Sequence, residues 1–314
     1  MECSLIYEGL AYGSGTISFL FQLHNNITFE IGTYYDTHEK VKKLVSDMIS
    51  GKKLTAFALS EESSGSDPSS TISYAELKED GYHIYGQKKW IANALEADCF
   101  NVIVKDGSPH KRDMLMLLVD KNTDGFKISE NKPRMGANAM SCCDLTFDDC
   151  VVPEERLLSK NGFKEALRAI DVARVFVPAI AIGISQRAID MTVEYLGKRI
   201  AFNKPIISYQ GVQWTLAELS AQIEAGRWLV YRTASLMDSS SQIATQAAMN
   251  KLYATDLAMK VTIECLQLYG ANGYEKNSII SSYMLLAKLL QIIDGTSEIQ
   301  KVVIGKSLQK NKQK

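Results

Sequence analysis

The sequence lacks an excess of charge of either sign. Its 35 Lys and Arg residues face 36 Asp and Glu residues, which leaves a formal charge of -1 over 314 residues. Nucleic acids and anionic membrane surfaces attract proteins with an excess of basic side chains, so this balance argues against both kinds of partner. A chain of this length can bury a large core and form roughly two domains.

Long apolar runs are also missing. The longest, residues 175–184, contains ten residues, about half of the ~20 that a membrane-spanning helix needs. Glu2 stands where a secretory signal carries basic residues, and no continuous apolar segment with a cleavage site follows it. We therefore expect a cytoplasmic protein without a membrane span.

Residues that bind metals or form disulfides show no recognisable spacing. The six cysteines contain no C-x-x-C pair, and the four histidines are scattered along the chain. Without a secretory signal, this pattern favours reduced cysteines that pack as small apolar residues. We expect neither a disulfide framework nor a metal site.

The first half of the chain contains two segments of different pattern. Residues 1–53 show helical spacing, with apolar residues recurring every three or four positions from Val41 to Met48. Residues 54–158 contain short β-type runs separated by turn sequences such as Asp80-Gly81. We predict a partial N-terminal helical domain in the first segment and a central antiparallel β-barrel-like domain in the second.

The remaining segment, residues 159–314, is almost free of proline. Pro178 and Pro205 are its only prolines, so its helices can be long. Four stretches fit a period of 3.6 residues, and we predict that they pack as a C-terminal four-helix bundle. These stretches are residues 162–202, 209–235, 239–269 and 278–293. The predicted fold class is therefore α+β, mainly α.

Three short motifs are candidates for ligand binding. Residues 60–67 form a hydroxyl-rich loop that can present N–H groups and hydroxyls to a phosphate or a heteroaromatic ring. Trp90 lies on a predicted strand, where its indole can cover a flat cofactor. Gly270 and Gly273 lie between two predicted helices. Each motif also has a purely structural interpretation: an ordinary turn, a half-buried aromatic residue and a helix C-cap.

A fourth motif, residues 292–300, contains a carboxylate that helix initiation does not explain. Ser297 and Gln300 fit a capping box at the start of the last helix. Asp294 follows Ile292 and Ile293, so we expect it to be partly desolvated. Desolvation raises the pKa of a carboxyl group toward the range that suits a general base.

Taken together and in this order, the motifs resemble those of the acyl-CoA dehydrogenase family of flavoproteins over nearly the whole chain. The family's Thr-Glu-Pro-x-x-Gly-Ser-Asp loop resembles residues 60–67, and its Trp-Ile-Thr-Asn segment resembles residues 90–93. Its Gln-x-x-Gly-Gly-x-Gly-Tyr motif resembles residues 267–274, and its Glu-Gly-Thr-x-x-Ile-Gln-Arg motif resembles residues 294–301. Its Arg-x-x-Phe-Gly motif with a downstream Gln resembles Arg199, Phe202 and Gln210.

The resemblance implies FAD as the cofactor, between the β-domain and the helical bundle. The positions that match the family's contacts to the isoalloxazine and the pyrophosphate are Phe57, Leu59, Ser60, Ser66, Trp90, Ile91, Ala92, Thr296 and Glu298. Those that match its contacts to the adenosine half, commonly across a subunit interface, are Arg199, Tyr209, Gln210, Gln267 and Gly270, and Phe202 is a further predicted cofactor-binding position. The positions that match its acyl-CoA site are Ser66, Asp171, Arg174 and Gly295.

The resemblance also implies a reaction, the α,β-dehydrogenation of an acyl thioester of coenzyme A or of an acyl-carrier protein. Asp294 would remove the α-proton while a hydride leaves the β-carbon for flavin N5. Some family members place the base at the position of Ala173 instead, so Asp294 is the only base that the resemblance offers. The electrons would pass to an electron-transfer flavoprotein, and the protein would form a homodimer or a homotetramer.

Departures from the family pattern keep two other functions open. Asp294 stands where the family usually has Glu, and Ala92 stands where it has Thr. Because nitroalkane oxidase, a relative with the same fold, also has aspartate at the position of Asp294, a flavin oxidase is one alternative. The chain also starts later than family members do. The second alternative is therefore a non-catalytic binding or assembly subunit with a shortened N-terminal helical domain.

Overall fold

The chain forms two compact units in its computed structural model, which describes residues 1–34, 39–107, 113–239 and 243–310. The helical unit consists of Met1–Gln22, Met135–Ala137 and Asp171–Lys314. The sheet unit consists of Leu23–Arg134 and Asn138–Ile170. The prediction of a mostly helical protein with a central sheet and a helical C-terminal region is confirmed. The barrel, the four-helix bundle and the domain boundaries 1–53, 54–158 and 159–314 stay predictions.

The helices of the described residues are long in the C-terminal half, as the scarcity of proline predicts. They are α1 (Glu2–Gly13), α2 (Gly15–Gly32), α3 (Glu39–Ile49), α4 (Gly162–Lys198), α5 (Gln210–Ser239), α6 (Ala244–Tyr269), α7 (Ala271–Tyr274), α8 (Ile279–Ile292) and α9 (Ser297–Lys310). The predicted first long helix ends four residues early, because a short hairpin follows α4. Phe202 and Asn203 form its turn with φ of 48° and 65°, the left-handed pair that a tight two-residue hairpin requires.

The sheet unit contains a mixed sheet of eight strands within its described residues. They are β1 (Thr55–Ala58), β2 (Tyr74–Lys78), β3 (Gly81–Ala92), β4 (Cys99–Asp106), β5 (Met114–Asp120), β6 (Phe126–Ile128), β7 (Cys142–Val152) and β8 (Leu157–Ser159). The order is β6-β7-β3-β2-β4-β5-β8, with β1 paired to β4.

The prediction of a wholly antiparallel sheet is wrong. β1 and β2 both run parallel to β4, whereas β3 pairs antiparallel with β2 and β7. A turn of two residues joins β2 to β3 and requires antiparallel pairing there. Residues 93–98 separate β3 from β4, and this longer connection lets β4 leave its neighbour in sequence and pair with β1 and β2.

The strands β4 and β5 are buried on both faces. Phe100 and Leu117 belong to a core within the sheet. Ile103 and Met116 instead pack with apolar residues of α2 and α3, among them Met48. Such burial on both faces explains why these strands read as continuous apolar runs in the sequence.

The apolar run of residues 175–184 forms the buried middle of α4 in the helical unit. Val175, Ile180 and Ile184 are 0% exposed. Gly183 lets α1 approach closely, since a Cβ there would lie 2.4 Å from the carbonyl oxygen of Glu8. Among the described residues, no single helix is long and apolar enough to cross a membrane, and one bent pair, Ile279–Ile292 with Ser297–Gln309, passes by length and composition only.

A histidine of the sheet unit lies between two carboxylates. His83 on β3 places Nδ1 2.6 Å from Asp149 Oδ1 and Nε2 2.7 Å from Asp80 Oδ1. Tyr85 donates a further hydrogen bond to Asp149. The hydrogen bonds to Asp80 and Asp149 raise the pKa of His83 above its ordinary 6.5, and burial opposes them only in part.

We expect the stability of the wild type to depend on pH through His83. Because its pKa is higher in the folded chain, its contribution to the free energy of unfolding is complete below about pH 6.5 and is lost as the pH rises through the raised pKa. The variant His83→Gln should lose less stability over that interval. Denaturant unfolding at a series of pH values measures the difference, and parallel curves for the two proteins would contradict the prediction.

Candidate active site

The loop of residues 60–67 is anchored by a buried ion pair. Lys88 Nζ lies 2.7 Å from Glu61 Oε1 and 3.0 Å from the carbonyl oxygen of Leu59. The side chains of Lys88 and Glu61 are 0% and 2% exposed. Burial lowers the pKa of Lys88 to about 8. Burial acts to raise the pKa of Glu61, but the charge of Lys88 and the N–H group of Ile72 lower it overall.

The other acidic residues of this loop are also engaged. Glu62 lies 3.2 Å from Lys89 Nζ, and Asp67 accepts a hydrogen bond of 3.1 Å from the N–H of Ser69. Ser66 is exposed. A Cβ at Gly65 would meet nothing within 4 Å. The loop therefore presents the hydroxyl of Ser66 and open backbone at Gly65 outward, beside the exposed side chains of Glu62 and Asp67.

Trp90 lies at an irregularity of β3. The pairing of β3 with β7 shifts register between Lys88 and Ile91, and Trp90 takes a left-handed φ of 60° with 55% of its surface exposed. The N–H of Lys89 donates to the carbonyl oxygen of Ser60 at 2.9 Å. This bond ties the strand directly to the start of the 60–67 loop, so two predicted FAD-binding segments lie side by side.

Not every residue of these segments has an accessible side chain. Leu59 and Ile91 are 7% and 2% exposed and pack in the cores of the sheet unit. Phe57, Ser60 and Ala92 are half-buried. A ligand at this place could therefore reach Leu59 and Ile91 only through their backbone.

In the helical unit, Asp294 and Gly295 form the turn between α8 and α9. Both have left-handed backbones, with φ of 52° and 88°. Arg174 Nε donates to the carbonyl oxygen of Asp294 at 2.9 Å, and Gln300 Nε2 donates to that of Gly295 at 2.7 Å. Lys251 Nζ also donates to the carbonyl oxygen of Gly295, at 2.9 Å. Three side chains from three helices thus hold the main chain of this turn.

Position 295 accepts only glycine without rearrangement. A Cβ there would lie 2.8 Å from Arg174 Nη2 and 3.0 Å from Gln300 Nε2. The left-handed φ adds strain for any larger residue. Glycine at position 295 is therefore required by the geometry of the turn.

The carboxylate of Asp294 is held without a hydrogen bond in the described part of the chain. Burial raises the pKa of Asp294, and the charges of Lys251 and Arg174 oppose this effect. A carboxyl group with a raised pKa that is still attracted to two cations can exchange a proton with a substrate. This is the environment that the sequence predicts for a general base.

The predicted acyl-site residues Asp171 and Arg174 lie together on α4. Asp171 Oδ1 is 2.9 Å from Arg174 Nη1, and burial raises the pKa of Asp171 against the charge of Arg174. Arg174 is 7% exposed. Because it contacts both Asp171 and the carbonyl oxygen of Asp294, it connects Asp171 to the turn. Ala173, the alternative position of the base, is 2% exposed.

The capping box predicted at Ser297 and Gln300 is wrong. The N–H of Ile299 bonds to Thr296 Oγ1 at 3.4 Å, so Thr296, one residue earlier, caps α9. The hydroxyl of Ser297 donates to Asp256 on α6 at 2.9 Å. The side chain of Gln300 donates to the carbonyl oxygens of Asp294 and Gly295 instead of forming a cap.

The residues predicted near the adenosine half form a separate group. Arg199 and Gln210 are exposed beside the hairpin of β9 (Ile200–Ala201) and β10 (Lys204–Pro205). Phe202 at its tip is 91% exposed. Tyr209 donates its hydroxyl hydrogen to the carbonyl oxygen of Ala201 at 2.9 Å.

The other two residues of that group lie at the C-terminus of α6. Gly270 has a φ of 61°, and its N–H donates to the carbonyl oxygen of Gln267. The interpretation of Gly270 as a helix C-cap is confirmed.

Glu298, a predicted contact of the other half of FAD, is exposed on α9. Hydrogen bonds from its own backbone N–H and from the Thr296 hydroxyl lower the pKa of Glu298.

Sequence reasoning missed Lys251, Asp256 and the Lys88–Glu61 pair. One signal was available for Lys251, which shares a helical stripe with Ala247, Ala254 and Ala258, all 0% exposed. A lysine at such a position is uncommon and indicates a specific partner. The partners themselves lie about forty residues further along the chain, where spacing gives no information.

The chain is similar in sequence to acyl-CoA dehydrogenases. Residues 56–150 match the acyl-CoA dehydrogenase middle domain, and residues 160–309 match the acyl-CoA dehydrogenase C-terminal domain. An acyl-CoA dehydrogenase of Bacillus subtilis (strain 168) is 33% identical over 298 residues, which are 94% of this chain and 79% of that protein.

Solved structures show the same similarity. Butyryl-CoA dehydrogenase from Megasphaera elsdenii matches with a TM-score of 0.91 at 31% identity, covering 98% of this chain and 81% of that one. A structure described as the electron transferring flavoprotein of Acidaminococcus fermentans matches with a TM-score of 0.91 at 32% identity, covering 97% of this chain and 81% of that one. The similarity thus extends over nearly the whole chain.

Proposed function

Because this chain belongs to the acyl-CoA dehydrogenase family of FAD-dependent oxidoreductases, we propose that it dehydrogenates an acyl-CoA thioester with Asp294 as the base. Family membership gives the reaction class, acyl-CoA dehydrogenation, and the cofactor, FAD. The observation that supports Asp294 as the base is its position on the turn between α8 and α9. Hydrogen bonds from Arg174 and Lys251 hold the main chain of this turn, and their charges act on the carboxylate.

The residues of the sheet unit suit FAD in two respects. The exposed indole of Trp90 offers a flat apolar surface to an aromatic ring. In the loop beside it, Glu61 and Glu62 are paired with lysines, and the loop presents the hydroxyl of Ser66 and open space at Gly65. We propose that these residues contact the cofactor, while the contacts of Thr296 and Glu298 stay predictions from the family resemblance. When bound, FAD supplies the acceptor for the hydride that leaves the β-carbon.

Asp294 would perform the proton transfer. Its carboxylate accepts the α-proton while the C–H pair at the β-carbon departs as hydride, so that a carbon–carbon double bond forms. Burial favours the neutral carboxylic acid that this step produces. The charges of Lys251 and Arg174 favour the ionised form before the proton is transferred. The hydrogen bond from Arg174 to the carbonyl oxygen of Asp294 holds the main chain that carries the carboxylate.

The further partners are proposals of the same kind. An electron-transfer flavoprotein is the proposed acceptor, as the resemblance to the family implies. Acyl-CoA is preferred over an acyl-carrier protein as the substrate, because the similar proteins named above act on CoA thioesters. A homodimer or homotetramer and a cytoplasmic location also stay predictions.

Anaerobic titration with acyl-CoA thioesters tests the function directly. We expect the purified protein to bind FAD and its visible flavin absorbance to bleach with at least one member of a panel that begins with butyryl-CoA, the substrate of a structurally similar protein. A protein that stays colourless with added FAD, or a bound flavin that no acyl thioester reduces, would refute the proposal.

A flavin oxidase is the second candidate, favoured by the aspartate at position 294. Aspartate is one methylene shorter than the glutamate usual at this position. Its carboxylate therefore lies at a different place and suits a substrate whose acidic C–H group is placed differently, such as a nitroalkane. Hydrogen peroxide release in air from a nitroalkane, without an added acceptor, would distinguish this function from the first. The absence of peroxide with a panel of nitroalkanes would exclude it.

A further inference from the structure

A buried lysine on α6 contacts the chain on both sides of Asp294. Lys251 is 0% exposed, and its Nζ donates to the carbonyl oxygen of Gln291 at 3.0 Å and to that of Gly295 at 2.9 Å. The first acceptor belongs to the last turn of α8, and the second follows Asp294. The ammonium group therefore joins the end of the helix to the turn that carries the carboxylate.

A simple structural explanation covers only half of these contacts. Lysine side chains often satisfy the free carbonyl groups at the end of a helix, which accounts for the bond to Gln291. Gly295 lies outside α8, however, and its carbonyl oxygen already accepts a hydrogen bond from Gln300. A second donor at the same oxygen restrains the turn itself.

Charged groups from three helices surround Lys251. Asp294 and Arg174 act on it most strongly, followed by Asp256 on α6 and Glu298 on α9, while Asp171 is paired with Arg174. Burial lowers the pKa of Lys251 to about 8 against the attraction of Asp294. Conversely, Lys251 is the foremost charge that lowers the pKa of Asp294 against burial. The two groups are thus coupled, with Arg174 as the other cation.

We propose that Lys251 is a positioning residue for the base, fixing the Asp294–Gly295 turn through its two carbonyl contacts and holding a positive charge beside the Asp294 carboxylate. The inference rests on the proposed function, in which Asp294 accepts the α-proton. Lys251 touches neither substrate nor cofactor in this role and acts only through Asp294.

Two substitutions separate the charge of Lys251 from its hydrogen bonds. Lys251→Met removes both, whereas Lys251→Gln keeps an N–H donor without the charge. Lys260→Met is the matched control, because Lys260 lies on the same helix, is exposed and contacts Glu218 and Gln222 at the surface. Circular dichroism and FAD content establish that each variant is folded and loaded.

We expect kcat of Lys251→Met to fall by about 10- to 100-fold with KM almost unchanged, because the base is misplaced rather than the substrate site lost. The acidic limb of its pH profile should move up by about 1 unit or more, since a neighbouring positive charge has been removed. Amide hydrogen exchange of residues 291–300 should be faster. Lys251→Gln should show the same pH shift with a smaller change in exchange, and Lys260→Met should match the wild type.

The exchange experiment separates this inference from the proposed function. If the wild type reduces no flavin with any acyl thioester, the proposed function fails, and the exchange rates alone still decide whether Lys251 restrains the turn. If the wild type is active but both Lys251 variants keep its pH profile and exchange rates, the inference is overturned. Failure of both variants to fold would also overturn it, since Lys251 would then be required by the helical unit as a whole.

Discussion

Asp294→Asn is expected to abolish acyl-CoA-dependent flavin reduction while FAD remains bound. Loss of a general base typically costs about 10²- to 10⁴-fold in rate. The substitution preserves the shape of the side chain, and asparagine tolerates the left-handed φ of 52° at this position as well as aspartate does. The contact from Arg174 also persists, because it reaches the carbonyl oxygen rather than the carboxylate.

Stopped-flow measurement of flavin absorbance under anaerobic conditions gives the rate, and Asp294→Glu is the matched control. Glutamate restores the length usual in the family and keeps the charge, so this variant should retain flavin reduction at an altered rate. For the wild type, the rate should rise with pH through the raised pKa of Asp294. An Asn variant as fast as the wild type would assign the base to another residue.

Lys88→Met is expected to lower the free energy of unfolding more than any other substitution considered for the sheet unit. Removing one partner of a buried ion pair costs about 3 to 5 kcal/mol, because the other charge remains buried without compensation. Glu61 would be that charge, 2% exposed and left with hydrogen bonds from the backbone N–H groups of Ile72 and Ser73. Denaturant unfolding monitored by circular dichroism measures the loss.

The neighbouring residue supplies the control for this measurement. Lys89→Met removes a lysine whose partner Asp144 keeps a second cation, Lys132, so we expect a loss of about 1 kcal/mol or less. The double variant Lys88→Met with Glu61→Gln should recover part of the stability lost in Lys88→Met, because no buried charge is then unpaired. Equal losses for the two single variants would show that burial of the pair is unimportant.

Local sequence patterns predicted much of the fold and part of the candidate site. The period of 3.6 residues located the long helices to within a few residues at most ends, since helical pairing is itself local. The Asp294-Gly295 sequence was recognised between two helices for a related reason, because left-handed turns restrict which residues can stand there. The hydroxyl-rich loop after β1 is likewise a loop in the structure.

Contacts between distant segments could not be predicted in this way. The parallel pairing of β1 with β4 joins residues such as Thr55 and Cys99, which are 44 positions apart, and local alternation does not report which strands pair. Lys251 meets Gly295 across 44 positions. The capping box failed for a different reason: Thr296 and Ser297 are both good caps, and only the observed helix start distinguishes them.

Within the described ranges, the side chains that hydrogen-bond to residues 294 and 295 of the turn between α8 and α9 do so through main-chain oxygens. Arg174, Lys251 and Gln300 contact the carbonyl groups of residues 294 and 295, not the side chain at position 294. A mutation at position 294 therefore changes the reactive side chain without disturbing the hydrogen bonds that hold the turn. Aspartate and glutamate codons differ by a single nucleotide, so one lineage can exchange its base in one evolutionary step, with the fold intact on either side of the change.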